Sequence, residues 1–312
     1  MIVIEPSFEI QEDLDHLPLA VRLEMCGRVC YRSEDKITAD SAIPFVKRIA
    51  AHGHNSVLEM AVVHFHVRCG ETAQNELFAA QPKYLVVDQI DDQLLVTGSI
   101  RAFRELCHNP AQPRIVAAIV EVLAQEEPYL FENLPLDDST ESRGRDVQVT
   151  RLKPGEIDAL PAQLCLRHRF VSVRMVVNRA VTHELVRHRP CSFLQESQRY
   201  CRYSQDKFSN QVTFIKPMFF EEGSAEYQLW ADSMLMSEKA YLKLLETATP
   251  QAARTVLANS CKTEIIVYCN LAEWQHIFSL RTSPAAEPSM REIMIPLAEA
   301  MCHKFAVLED VR

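Results

Sequence analysis

The chain of 312 residues is 47% hydrophobic and 24% charged and carries a net charge of −9, which describes a globular protein with core enough for one large domain or two ordinary ones. The acidic balance argues against binding nucleic acid polymers, which takes a basic surface, and no run approaches the roughly 20 apolar residues of a membrane span. The N-terminus lacks the basic flank and apolar core of a secretory leader, so the ten cysteines are expected to be free thiols of a cytoplasmic protein.

In chain order, Leu19, Leu23, Met25, Cys26 and Val29 recur at helical spacing and predict a helix over 18–32. Cys26 and Cys30 lack further ligands to complete a zinc site, and no metal is expected. A second amphipathic helix over 40–51 is expected to start at Asp40 or Ser41 and to stop at Gly53. Val62–Arg68 alternates apolar and polar residues, which puts His64 and His66 on one side of a strand. Two histidines so spaced read as a polar strand face in preference to a metal site. Helix-like runs at 71–80, 100–107 and 112–126 and strand-like runs at 84–87 and 93–97 follow, and the polar stretch 135–155 reads as a loop. Arg167-His168-Arg169 reads as a structural triplet leading into a strand over 169–177, expected to pair antiparallel with 62–68. Asn178 should cap the helix 179–186. A long helix over 225–248 is expected to bury Leu229, Met236, Ala240 and Leu244, and a last helix over 288–308 to bury Met294, Leu297, Met301 and Phe305.

The residues that organise the chain lie between these elements. Arg187, His188, Arg189, Arg199 and Arg202 concentrate positive charge within sixteen residues of an acidic protein. Guanidinium groups suit bidentate recognition of phosphate and carboxylate. With Arg254 and Arg281 as further cations, and Gln195 and Ser197 as neutral hydrogen-bonding groups, the pattern suits a nucleotide: arginines for phosphates, amide and hydroxyl for a base edge.

Arg187-His188-Arg189, seven residues, then Ser197-Gln198-Arg199-Tyr200 resembles throughout the signature of the flavin-dependent thymidylate synthases, the ThyX family. His54, Ser56 and Glu59 resemble position by position the family's flavin-contacting His-x-Ser/Thr-x-x-Glu element, with Met60 where histidine is usual. Arg254-Thr255-Val256-Leu257 resembles its Ala-Arg-x-Val-Leu-Pro element, with Ala258 in place of the proline. Asn270, Trp274, His276 and Arg281 follow the spacing of its flavin- and substrate-binding helix. Two departures stand out: Ala272 occupies a position where the family commonly has arginine, and Glu292-Ile293 comes late, lengthening the loop after Arg281. The likeness covers roughly 15–68 and 169–300. Within the stretch outside it, Ser99-Ile100-Arg101-Ala102-Phe103-Arg104 resembles the family's Asn-x-Arg-Ala-Trp-Arg element, a likeness that an internal duplication and chance explain equally.

The resemblance implies an α+β, ThyX-like fold: a small antiparallel sheet packed with several helices, and long C-terminal helices. It divides the chain into a catalytic domain, 1–69 and 166–312, and an inserted subdomain, 70–165, of unknown role. It implies reductive methylation of dUMP to dTMP, with methylenetetrahydrofolate as one-carbon donor and FAD, reduced by NADPH, as hydride carrier. His54, Ser56, Glu59, Arg187, His188, Arg189, Asn270 and His276 would then hold FAD. Gln195, Glu196, Ser197, Gln198, Arg199 and Arg254 would hold dUMP, with Arg281 at the pyrimidine, and Ser197 and Arg281 would be catalytic. A homotetramer is implied. Methylation of another uridine nucleotide, and nucleotide or flavin binding without turnover, remain open beside it. Pro190-Cys191 resembles the nucleophile of the unrelated thymidylate synthases, since arginines favour a thiolate; packing is the preferred reading of Cys191.

Overall fold

A computed structural model describes residues 1–109, 112–132, 134, 146–204 and 210–311. The strands are β1 (Ile2–Ile4), β2 (Ser7–Ile10), β3 (Val62–Cys69), β4 (Leu85–Ile90), β5 (Gln93–Ser99), β6 (Val147–Arg151), β7 (Phe170–Asn178), β8 (Ser192–Gln195), β9 (Thr213–Ile215) and β10 (Lys262–Asn270). The longer helices are α1 (Leu19–Val29), α2 (Ala42–Ala51), α3 (Glu71–Ala80), α4 (Ile100–Leu106), α5 (Arg114–Glu126), α6 (Ala162–His168), α7 (Arg179–Leu185), α8 (Ala225–Leu244), α9 (Leu271–Arg281) and α10 (Pro288–Lys304). No described helix is long and apolar enough to cross a membrane. The elements form two compact units: a motif unit of Met1–Gln11, Gly27–Glu34 and Val171–Arg312, and an inserted unit of Glu12–Cys26 and Asp35–Phe170. Residues 35–69, assigned from sequence to the catalytic domain, thus cluster with the stretch that follows them.

In the inserted unit, the sheet runs β4-β5-β3-β6. β4 and β5 form a hairpin in which Ile90 pairs with Gln93 across Asp91-Asp92, with Asp91 at φ 52°, as a tight primed turn requires. The expected pairing of 62–68 with 169–177 is incorrect. β3 lies between β5 and β6, antiparallel to both, while β7 belongs to the other sheet. Alternation identifies a half-buried strand without naming its partner, and here the nearby hairpin supplies it. The expected loop 135–155 is also corrected. Residues 135–145 lie outside the described residues, but Val147–Arg151 is β6, and a short helix, Pro154–Asp158, follows. Gly53 ends α2 as expected, at φ 70°, a backbone region where a side chain is strained.

Behind this sheet a polar relay is buried. His168 is fully enclosed, its Nε2 2.8 Å from Asp88 Oδ2 and its Nδ1 2.7 Å from Thr97 Oγ1, which lies 2.9 Å from His64 Nδ1. Burial first, then neighbouring positive charge, pushes His64 to about 3, so the ring is neutral at pH 7. The consistent assignment runs His64 N–H to Thr97, Thr97 O–H to His168, and His168 N–H to Asp88. The triplet Arg167-His168-Arg169 is structural, as its sequence context suggests: Arg169 bonds Asp15 and Asp158, and Arg167 lies 3.1 Å from Asp88.

In the motif unit, the main sheet runs β2-β7-β10-β8, beside a parallel pair of β1 and β9. β10 is buried along almost its whole length, yet carries Glu264 at 4% exposure. That carboxylate accepts from Lys262 Nζ at 2.6 Å and from Arg174 Nε at 3.0 Å, and it pairs with Arg32. Burial works to raise the Glu264 carboxyl, but these cations hold it down at about 2. Lys262 also donates to Glu196, at 2.7 Å. The long helix α8 corrects the predicted apolar face. Met234, Glu238 and Tyr241 point inward, while Leu229 and Met236 are 71% and 65% exposed and Ala240 and Leu244 are exposed beside them. The helix carries two apolar stripes, and periodicity does not say which faces the core. In α10, Met294, Leu297 and Met301 are buried as expected.

The two units repeat one plan. Read as β6-β3-β5-β4, the inserted sheet has the strand order of β2-β7-β10-β8, with antiparallel outer pairs in both. A helix follows β3 and β7 in turn, and two helices follow β5 and β10. The last residue of β5, Ser99, caps α4 through Ala102 N at 3.1 Å; the last of β10, Asn270, caps α9 through Glu273 N at 2.9 Å. Counted from these caps, Ile100 matches Leu271 and Phe103 matches Trp274, all fully buried. The resemblance of Ser99–Arg104 to the family's later element is therefore matched by structure. The units differ in where the outer strand falls in the chain: first as β2, last as β6.

Two stability measurements check these cores. Thr97→Val keeps the side chain's shape but strands a buried donor on His64 and an acceptor on His168, each costing about 1–3 kcal/mol, and should lower the midpoint in urea accordingly. Glu264→Gln leaves several cations uncompensated and should cost about 3–5 kcal/mol. Because its folded pKa is depressed, the carboxylate's contribution is whole above its ordinary 4.5 and is lost as pH falls toward 2. Acid titration of the wild type should therefore show a loss in that window which the Gln variant lacks.

Candidate active site

The arginine motif is built on a strand-to-helix junction. Asn178 ends β7, and its Oδ1 accepts from Val181 N at 2.9 Å, starting α7. The chain leaves α7 through a turn in which His188 N donates to Leu185 O and Cys191 N to His188 O, each at 3.1 Å. This turn exposes Arg187 and Arg189 and buries His188 between them. β8 then pairs with β10, bringing Ser192–Gln195 alongside Tyr268–Ile265. Beyond it, Ser197 N donates to Cys30 O at 3.0 Å, and Ser197 Oγ accepts from Arg199 N at 3.3 Å. Arg199 is exposed, its guanidinium 5.6 Å from the centre of the Tyr200 ring.

Arg281, from the end of α9, clasps this turn. Its Nη1 donates to Glu184 Oε2 at 2.7 Å, its Nη2 to Glu184 O at 3.2 Å and its Nε to His188 Nε2 at 3.1 Å. Because Nε2 accepts, the neutral His188 ring carries its proton on Nδ1, 3.5 Å from Glu273 Oε1. Burial first, then Arg281 and His276, pushes His188 to about 4, so it is neutral at pH 7. Glu273 Oε1 is buried without a hydrogen-bond partner, and burial raises its carboxyl. The exposed His276 ring lies edge-on to His188, 5.9 Å between centres. Ligand atoms of His188, Glu273 and His276 fall within 4.8 Å of one another, the spacing of a cation site. Arg281, occupying His188 Nε2 with a fixed positive charge, opposes a cation there.

Arg187, His188, Arg189, Gln195, Glu196, Ser197, Gln198, Arg199, Arg254, Asn270, His276 and Arg281 all belong to the motif unit; His54, Ser56 and Glu59 belong to the inserted unit. Gln195 Nε2 donates to Thr182 and Thr263 at 3.0 and 3.1 Å, which turns its carbonyl oxygen outward from those bonds. Glu196, 2% exposed, is tied to Tyr203 Oη at 2.8 Å and to Lys262, and Gln198 is buried against Cys261 Sγ at 3.6 Å. Both hold the loop from inside. Asn270 is the cap of α9. Arg254 opens a short turn, Arg254–Val256, of the same unit. In the inserted unit His54 and Ser56 are exposed, and Glu59 accepts from Arg101 at 2.5 Å. Cys191 is buried beside Cys269, whose thiol burial and this neighbour push up, which agrees with packing. Sequence reading missed Glu184, Glu264 and Glu273 as partners. Glu273 had a local signal, three residues from both Asn270 and His276 on one helix.

In this turn two exposed arginines flank a buried, neutral histidine. The profile of the family described as thymidylate synthase complementing protein matches residues 14–81 and 160–305, and the chain belongs to that family. Over 136 residues it is 32% identical to the flavin-dependent thymidylate synthase of Pyrococcus furiosus, covering 43% of this chain and 53% of that protein. With the enzyme of the same description from Geobacter sulfurreducens it shares 34% over 122 residues, 39% and 51% of the two. The chain thus spans about half the length of the curated relatives it matches. A solved UMP/dUMP methylase, PolB of Streptomyces cacaoi with 5-Br UMP, aligns over 51% of this chain and 81% of its own, at 19% identity and a TM-score of 0.40.

The clasp makes a spectroscopic prediction. The His188 ring should titrate near 4 by NMR, and Arg281→Gln, by removing a facing positive charge, should move that midpoint upward toward the ordinary 6.5. An unchanged midpoint would show that Arg281 does not act on the ring.

Proposed function

We propose that the chain is a flavin-dependent thymidylate synthase that converts dUMP to dTMP, with methylenetetrahydrofolate and NADPH as co-substrates. The observation that carries this reading is the clasped Arg187-His188-Arg189 turn, the family's motif presented as two exposed cations around a neutral ring. When bound, FAD would supply the hydride that completes the methyl group. The residues fit such a group. Arg187 and Arg189 can meet its phosphates, and the Glu273 oxygen, 3.5 Å from His188 Nδ1 and without a hydrogen bond, can accept from a donor on that group. His54, Ser56, Glu59, Asn270 and His276 complete the proposed flavin set.

For dUMP, Ser197, Arg199 and Arg254 would take the phosphate and Gln195 Oε1 the pyrimidine N–H. Glu196 and Gln198 would act by holding the loop. Arg281 keeps N–H groups beyond those used on Glu184 and His188, since a guanidinium has five. These would stabilise charge developing on the pyrimidine oxygens. The exposed Leu229, Met236, Ala240 and Leu244 stripe supports the proposed homotetramer, because a second copy would cover it.

The purified protein should show a visible flavin band that dUMP perturbs. Arg281→Ala should keep the band while lowering dTMP formation by about 10²–10³-fold, and Ser197→Ala should weaken dUMP binding more than flavin binding. A protein that takes up no flavin from added FAD would overturn the reading.

A further inference from the structure

Arg179, which opens α7, has no part in the reaction as proposed, and the fold does not ask for it. A cation in the first turn of a helix opposes the helix dipole. Counted from the caps that follow β7 and β3, Arg179 of α7 corresponds to Glu71 of α3, so the same position of the repeated plan takes the opposite charge. The Arg179 side chain is half-buried, and its Nη1 is buried without a hydrogen-bond partner. Among the described residues no carboxylate pairs with it. A guanidinium stays charged in a protein, so the unmet donor is held at a cost that an incoming anion would relieve.

Segments of the candidate active site converge on this residue. The backbone N–H of Arg179 donates to Asn259 O at 3.0 Å, in the stretch that leads from the Arg254 turn to β10. Its carbonyl accepts from Thr182 Oγ1 at 2.9 Å, and the same hydroxyl accepts from Gln195 Nε2. The charge of the side chain bears on Cys261: burial first, then Glu196, pushes that thiol up to about 12, and Arg179 draws it the other way. Cys261 Sγ in turn accepts, at 3.6 Å, from Nε2 of Gln198, the residue between Ser197 and Arg199. By alternation, Gln195 and Thr263 share one side of the β8-β10 pair, and Glu196, Lys262 and Glu264 share the other. Thr182 puts α7 on the side of Gln195, across the sheet from the carboxylates gathered at Lys262.

We infer that Arg179 is a further substrate-binding residue, whose buried Nη1 donates to a phosphate oxygen of the uridine nucleotide beside Ser197, Arg199 and Arg254. Arg199 is exposed, whereas Arg179 is held by its own helix and by Asn259, so it fixes where the phosphate sits. That the phosphate belongs to a uridine nucleotide rests on the proposed reaction; the anion site itself does not.

Ligand-detected NMR titration of the full chain with inorganic phosphate, dUMP, deoxyuridine and FAD tests this. Arg179→Met should weaken phosphate and dUMP about tenfold or more and leave deoxyuridine and FAD unchanged. Arg179→Lys, which keeps the charge and loses the fork, should weaken dUMP about threefold, and it serves if the Met variant does not fold. Deoxyuridine weakened as much as dUMP would show that Arg179 only packs the loop, and a loss confined to FAD would put the phosphate elsewhere; either overturns the inference. So does a wild-type protein that binds neither phosphate nor dUMP, or variants that bind both as the wild type does. A protein that binds dUMP through Arg179 but makes no dTMP overturns the proposed activity and leaves this assignment standing.

Discussion

The motif unit depends on what happens to charge withdrawn from water. Glu264 sits on the buried strand β10, and it is tolerable there because Lys262, Arg174 and Arg32 converge on it. A lone buried carboxylate would take up a proton or unfold its surroundings; three cations keep it ionised. Arg32 and Arg174 lie far along the chain from Lys262 and Glu264, so satisfying one carboxylate fixes their mutual placement. Lys262 then reaches Glu196, which anchors the loop that carries Ser197 and Arg199. The order of the candidate active site thus rests on an ion cluster beneath it.

Above that cluster the logic is reversed. Arg187 and Arg189 are kept in solvent, where a cation is cheap to hold and free to meet a ligand, while His188 is drawn inward and stripped of its charge. Burial does most of the second step, and Arg281 adds to it by bonding Nε2, so that the ring carries a donor and not a cation. A turn of three consecutive residues therefore presents two kinds of group to an anion.

Much of this could be read in the chain because it is local. The motif, the helix cap at Asn178 and the stop at Gly53 are each set by a few neighbouring residues, and the structure has them where the spacing puts them. What could not be read is non-local. Alternation in Val62–Arg68 identified a strand without its partners. The two apolar stripes of α8 gave the phase of burial but not its side. Strand β6 lies beside a long polar stretch that masked its alternation. The acidic partners Glu184, Glu264 and Glu273 belong to pairs distant in sequence, and residue type alone does not make those pairs.

The outer strand that comes first in one unit and last in the other has a consequence during synthesis. The inserted unit is complete once residue 170 has left the ribosome, because β3 to β6 all lie before it. The motif unit cannot close then. β2 must wait for β7 and β1 for β9, and the sheet is not whole until β10 emerges, some ninety residues after the inserted unit is complete. Two short strands at the start of the chain are thus held unpaired while a whole unit folds behind them. Long-range pairing is slow, and unpaired edges invite association with other nascent chains. The brevity of β1 and β2, three and four residues, limits that hazard.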